Sequence, residues 1–244
     1  MKTFGIIGFP LSHSFSQRYF TQKFIDEGID DAVFVNFPID KIDDLPQLVQ
    51  ATPELKGLAV TIPYKKQVLP YLQSASDAVI TMGASNCITV RDGKLYGYNT
   101  DVIGFEKSFI THLQPHHSKA LLLGRGGASA AVDFVLRKLN IDFKIVSRTA
   151  KSEGVMQYED VDEEALKEYT IIINSTPLGT YPNIDEAPSI PYQYLTSKHY
   201  LFDLVYNPPL TKFLALGQKQ GAIIQNGYDM LTIQAEENWK IWNI

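Results

Sequence analysis

The stretch that decides the fold is Ala120-Leu121-Leu122-Leu123-Gly124-Arg125-Gly126-Gly127-Ala128-Ser129, followed by a continuous helical pattern over 128–139. An apolar run enters a glycine turn and leaves as a helix. Glycines at such a turn let the backbone approach a pyrophosphate, which the helix N-terminus then attracts. The stretch departs from a strict G-x-G-x-x-G because Ser129 takes the third glycine position. Taken alone, it also fits a tight strand-to-helix connection with no ligand.

The next strand, predicted over 143–146, sharpens the reading. It runs into Ser147-Arg148-Thr149, about 20 residues past the glycines. That is where an NAD-binding fold carries an acid for the ribose hydroxyls. Here the acid is absent and Arg148 stands in its place. A guanidinium can donate two parallel hydrogen bonds to a phosphate, so the position favours NADP over NAD. Ser147 and Thr149 add hydroxyls, and Lys151 lies close in sequence.

Working outward, strands are predicted over 120–123, 143–146, 171–174, 200–203 and 222–224. Helices are predicted over 128–139, 163–169 and 211–220. Strands alternating with helices imply parallel β-α-β units. Upstream, strands are predicted over 3–8, 32–37, 57–61, 86–91 and 94–98, and helices over 15–27, 42–51, 64–72 and 75–82. Asp92-Gly93 joins the last two of these strands as a hairpin turn. Asn99-Thr100-Asp101 closes a strand, and a seam near 102–119, polar over 111–119, separates the two patterns. The final helix is predicted over 228–242. The fold class is therefore α/β with two α/β domains, one of them Rossmann-like, and the cleft between them is the default ligand site.

The composition narrows the class of function. The 244 residues are 45% hydrophobic and 20% charged, which is globular composition and excludes disorder for most of the chain. Lys+Arg 22 against Asp+Glu 27 leaves a net charge of −5, and no basic run suggests a nucleic acid partner. No apolar run approaches the ~20 residues that span a bilayer. The N-terminus reads as a first strand rather than a signal peptide. A single cysteine, Cys87, excludes an internal disulfide, and the five histidines show no metal-ligand spacing. These features predict a cytoplasmic protein with a small-molecule substrate, no nucleic acid or membrane partner and no metal. Its size admits a monomer or a homodimer.

The first domain carries polar clusters at strand ends, where open α/β sheets bind ligands. Ser12, Ser14 and Ser16 surround a predicted helix start. Thr61 and Lys65 follow the third strand, Ser85-Asn86 precedes a strand, and Asn99-Thr100-Asp101 ends one. Each cluster alone fits ordinary capping or turn chemistry. Together, hydroxyls, amides, one lysine and one aspartate suit a small polyol. Gln234, one turn after Met230, is open to two readings: a satisfied core amide or a substrate ligand. Trp239 and Trp242 read as packing residues that dock the last helix, and Cys87 as a buried small apolar group.

These residues resemble the shikimate dehydrogenase family over nearly the whole chain. The matching stretches are GFPLSHSFS (8–16), AVTIPYKK (59–66), GASN (83–86), NTDVIGF (99–105), GRGGAS (124–129), SRT (147–149), NSTPLG (174–179), DLVYNP (203–208) and GYDMLTIQA (227–235). The resemblance implies NADP-dependent reduction of 3-dehydroshikimate to shikimate, in chorismate and aromatic amino-acid synthesis. It implies Lys65 and Asp101 as the catalytic pair. It implies Ser14, Ser16, Thr61, Asn86, Asp101, Tyr206 and Gln234 as substrate ligands. It assigns Gly124, Gly126, Gly127, Ala128, Ser129, Ser147, Arg148, Thr149, Thr176 and Gly227 to the cofactor.

The implied domains are 1–103 with 227–244 for substrate and 104–226 for NADP. Departures from the family pattern fall at Ala59, where Asn is common, at Ser147, and at Thr180 in place of a common Met. Three alternatives stay open at the level of sequence: a quinate/shikimate dehydrogenase of broader substrate and cofactor range, a dehydrogenase for an amino or deoxy analogue, and a non-catalytic NADP-binding regulatory protein.

Overall fold

The glycine turn follows one of the two middle strands of an all-parallel six-stranded sheet. In the computed structural model, which describes residues 1–11, 15–126, 129–148 and 155–244, the chain divides into two compact units. One holds Met1–Asp101 with Gln234–Ile244, the other Val102–Ile233. Ser14, Gly127, Ala128 and Thr149 lie outside the described residues.

The first unit contains β1 (Lys2–Gly8), α1 (Phe15–Asp26), β2 (Ala32–Pro38), α2 (Leu45–Ala51), β3 (Leu55–Val60), α3 (Tyr64–Gln67), β4 (Ser74–Ala75), α4 (Asp77–Met82), β5 (Cys87–Arg91) and β6 (Lys94–Tyr98). Its sheet has the order β2-β1-β3-β5-β6-β4. The sheet is mixed, because β5 runs antiparallel to both β3 and β6. The antiparallel pair is a hairpin in which Asp92 (φ 51°) and Gly93 (φ 71°) both adopt positive φ. Asp-Gly favours that two-residue turn because its twist matches the strands.

Side chains alternate across each strand, so this sheet has two cores. Ile7, Leu58 and Val60 join Leu45, Tyr64 and Ile88 on one side. Phe4, Ile6 and Ala59 join Phe20, Phe24, Phe34, Cys87 and Trp242 on the other. Cys87 is fully buried, in keeping with its reading as a small apolar group.

Two predicted helices are shorter than their sequence patterns. Residues 42–44 form a 3₁₀ turn before α2, and 69–71 form another after α3. Pro46 and Pro70 sit at the first turns that follow, where proline's missing N–H costs nothing but a longer continuous helix would break.

The second unit begins within α5 (Asp101–Phe109). It continues through β7 (Lys119–Leu123), α6 (Ser129–Lys138), β8 (Asp142–Val146), β9 (Val155–Met156), α7 (Glu163–Glu168), β10 (Ile171–Asn174), β11 (Tyr200–Asp203), α8 (Lys212–Lys219) and β12 (Ile223–Gln225). The last helix, α9 (Tyr228–Trp242), contains the division between Ile233 and Gln234. The strand order is β12-β11-β10-β7-β8-β9, parallel throughout. This is the doubly wound dinucleotide order, whose direction reverses between β7 and β10.

Helix α5 corrects the expected seam, whose first part is helical. Val102, Phe105 and Phe109 recur at i, i+3 and i+7 and are buried. Phe105 and Phe109 pack with Tyr200 and Phe202 of β11.

Candidate active site

In the first unit, polar side chains gather where β3, β5 and β6 end or begin. Thr61 N donates to Ile7 O (3.0 Å), continuing the sheet one rung. Thr61 O accepts from Tyr64 N (2.9 Å), which turns the chain into α3. Gly8 permits this closeness, because a Cβ there would lie 2.4 Å from Thr61 Cγ2. The short α3 then presents Lys65, whose carbonyl accepts from Ser85 N at 2.8 Å.

Lys65 Nζ donates to Asp101 Oδ2 at 2.6 Å. The two side chains are 20% and 13% exposed, so the pair is shielded but reachable. Among the described residues this is the lysine's only acceptor, which leaves two ammonium hydrogens for a ligand.

Beside it in sequence, Thr100 enters a buried amide network. Asn86 Oδ1 accepts from Thr100 N (2.7 Å) and Asn86 Nδ2 donates to Thr100 Oγ1 (3.0 Å). Thr100 Oγ1 donates to Asn238 Oδ1 (2.6 Å). Gln234 Oε1 accepts long bonds from Asn86 Nδ2 (3.5 Å) and Asn238 Nδ2 (3.4 Å). Asn99 Nδ2 holds Ala84 O at 2.9 Å and so fixes the 83–86 loop. Ser16, near the start of α1, is buried.

Thus Ser16, Thr61, Lys65, Asn86, Asp101 and Gln234 all belong to this unit. Sequence reasoning placed Thr100 in a polar cluster without giving it a role of its own, and did not assign Asn238 to the site. The available signal was two amides, Gln234 and Asn238, at i and i+4 on the face of the last helix that also carries the apolar Met230, Ala235 and Trp242.

In the second unit, a pocket of about 550 Å³ opens at the carboxyl ends of β7, β8 and β10. Its lining includes Gly124, Arg125, Gly126, Ser147, Arg148 and Thr176. Gly124 has φ +98°, and a Cβ there would come within 2.8 Å of Thr176 Cγ2. Glycine is therefore required by both conformation and space. Among the described residues, a Cβ at Gly126 would meet only Ser175 O at 3.7 Å, so on their side that residue's face is open to a ligand. Ser129 Oγ donates to Gly126 O (2.5 Å), which ties the turn to the start of α6.

Thr176 is held from behind. Its N and Oγ1 donate to Asn174 Oδ1 at 3.0 and 2.6 Å. Asn174 Nδ2 in turn donates to Asp203 Oδ1 at 2.9 Å, and Thr211 Oγ1 donates to Asp203 Oδ2 at 2.6 Å. Asp203 is fully buried, and desolvation pushes its carboxyl up to about 6 despite hydrogen bonds from Thr211, Val205 N and Asn174.

Tyr206 lies on the loop after β11, about a third exposed. Gly227 brings the end of β12 close to β11, because a Cβ there would lie 2.2 Å from Leu204 O. Packing alone therefore demands that glycine.

The pocket suits NADP on its own features. It lies at the topological switch point, it has an open glycine turn for a pyrophosphate, and it carries two guanidinium groups that no described residue pairs. Among the described residues, no cluster of three or more His, Cys, Asp or Glu could hold a metal. Among them, too, no helix is long and apolar enough to cross a membrane.

Comparison with known proteins agrees with this reading of the chain. Residues 6–88 match the family described as "Shikimate dehydrogenase substrate binding domain". The shikimate dehydrogenase (NADP(+)) of Clostridium beijerinckii is 34% identical over 251 residues, covering 99% of this chain and 92% of the relative. A crystal structure of a shikimate dehydrogenase in complex with NADP+ superposes with a TM-score of 0.86 at 33% identity, covering 99% of this chain and 90% of that one. The enzyme of Thermus thermophilus, in complex with NADP(H) and shikimate, superposes at 0.83 with 27% identity, covering 99% and 93%. Likeness at this level over nearly the whole length of both chains makes this chain a member of the shikimate dehydrogenase family.

Proposed function

We propose that the protein catalyses the reversible NADPH-dependent reduction of 3-dehydroshikimate to shikimate. In this reading the unit of Met1–Asp101 and Gln234–Ile244 binds the polyol and the unit of Val102–Ile233 binds the nucleotide. The observation that carries the reading is the Lys65–Asp101 pair at 2.6 Å, with two ammonium hydrogens left over. Relatives named for this reaction and this cofactor support it.

The reduction of a ketone needs a hydride and a proton. Bound NADPH supplies the hydride. Lys65 Nζ donates the proton to the nascent alkoxide and takes it back in the oxidative direction. Before transfer, the ammonium polarises the carbonyl by hydrogen bonding to its oxygen. Asp101 holds Nζ in one place and keeps an oxygen lone pair for a ring hydroxyl.

Asn86 and Gln234 bond further hydroxyls. A site built on buried amides discriminates against analogues that lack those hydroxyls, because its polar groups would be left unpaired. The hydroxyls of Ser16 and Thr61, together with Ser14 and Tyr206, are assigned to the carboxylate and the ring. Gly124, Gly126, Gly127, Ala128 and Ser129 hold the pyrophosphate. Ser147, Arg148 and Thr149 hold the 2′-phosphate. Thr176 and Gly227 complete the nucleotide site.

The test is shikimate-dependent formation of NADPH, followed by absorbance, with quinate and NAD as swaps. Turnover with shikimate and NADP, at least about tenfold better than with either swap, is expected from a site whose polar groups match these ligands. Equal turnover with quinate or NAD would move the protein to a broader-specificity enzyme. Tight NADP binding without turnover of either acid would reject the catalytic reading.

A further inference from the structure

The glycine turn carries a charge that its geometry does not require. Gly124 and Gly126 are explained by φ and by open backbone, but the residue between them is exposed, and the turn does not require a charge there. It is Arg125. The register of the sheet places it beside Arg148. Leu123 pairs with Val146 at the ends of β7 and β8, and Gly124 N donates to Val146 O at 2.9 Å. Arg125 and Arg148 therefore each stand two residues past a paired strand end.

Both side chains line the same pocket, and neither is ion-paired with any described residue. The other charged side chain lining the pocket is Glu159, so two positive charges stand against one negative among the described residues. Two unpaired cations lining one concavity repel each other. A dianion between them would remove that repulsion and accept bidentate bonds from both planar forks.

We propose that Arg125 is a specificity-determining residue, a second guanidinium on the 2′-phosphate that closes on it from the side of β7 while Arg148 does so from β8. The proposal rests on the nucleotide reading of this pocket. The pyrophosphate is the other phosphate source, but the turn already offers it backbone N–H groups.

The experiment compares the full-length protein with Arg125→Gln by calorimetric titration of 2′,5′-ADP, 5′-AMP and 5′-ADP. Arg125 is exposed, so the variant should keep the wild-type Tm. Loss of at least about tenfold in affinity for 2′,5′-ADP is expected, with the affinities for 5′-AMP and 5′-ADP within about twofold of wild type. Arg125→Lys should lose part of this, because a lysine keeps the charge but not the fork. Equal losses on all three nucleotides would place Arg125 on the 5′-phosphates and overturn the proposal. No loss on 2′,5′-ADP, while Arg148→Gln does lose it, would make Arg125 a solvated surface charge. Wild-type protein that binds neither NADP nor 2′,5′-ADP would overturn the nucleotide reading itself.

Discussion

Lys65 and Gln234 are assigned to the same substrate for different physical reasons. Lys65 has a short, shielded bond and spare donors. Gln234 is 7% exposed, and its bonds to Asn86 and Asn238 lie at the long limit of hydrogen bonding, 3.5 and 3.4 Å. Gln234→Ala should raise the KM for shikimate about tenfold or more, because a buried amide that pairs a ring hydroxyl is lost. Paired melting curves and steady-state kinetics decide it. A KM that stays put while the Tm falls by many degrees would make Gln234 a core amide, the other reading its sequence position allowed.

At the scale of elements, what could be read from sequence depends on how local each signal is. β10, β11 and α9 have the bounds that periodicity and short apolar runs predict. α5 escapes such reading because its start, Asn99-Thr100-Asp101, looks like turn chemistry and masks the Val102/Phe105/Phe109 stripe behind it. The Asp92-Gly93 turn makes the antiparallel β5–β6 pair legible, but not the antiparallel pairing of β5 with β3, since pairing between strands distant in sequence is a tertiary property. The hydrogen-bonded chain Thr176–Asn174–Asp203–Thr211 joins the ends of two separate strands, and spacing alone could not assemble it.

Docking of α9 was legible in kind. Trp239 and Trp242 read as packing residues, and Trp242 lies 5.3 Å from the rings of both Phe4 and Phe20, with Nε1 donating to Ile88 O at 3.0 Å. The register of that contact was not legible. It depends on Gly57, whose added Cβ would fall 2.3 Å from the indole. Gly57→Ala should overpack this contact and cost about 1–3 kcal/mol. Urea denaturation measures it, and an unchanged midpoint would mean that the indole moves aside freely.

At the scale of the whole molecule, stability depends on pH through buried groups remote in sequence from the Lys65 pair. Burial raises Asp203 from 3.8 to about 6. A carboxyl raised on folding stabilises most below its unfolded value, and that contribution is lost as pH rises from about 4 through 6. His117 and His199 are lowered by burial, so their contribution is present above about pH 6.5 and is lost as pH falls below it. Asp203→Asn keeps an oxygen for Asn174 and removes the carboxyl's titration. The Tm of this variant relative to wild type should therefore rise steadily between about pH 4 and about pH 7, and a difference that stays constant across that range would contradict the burial argument.

The central claim is that one ammonium moves the proton in a reaction that needs both a polyol site and a nucleotide site. Its most direct measurement is kcat for shikimate oxidation by NADP in the wild type and in Lys65→Ala, with the melting temperature of each recorded. The kcat is expected to fall by about 10²–10⁴-fold, the range of general acid–base catalysis, with the Tm nearly unchanged. Turnover of Lys65→Ala within a few-fold of wild type would contradict the claim.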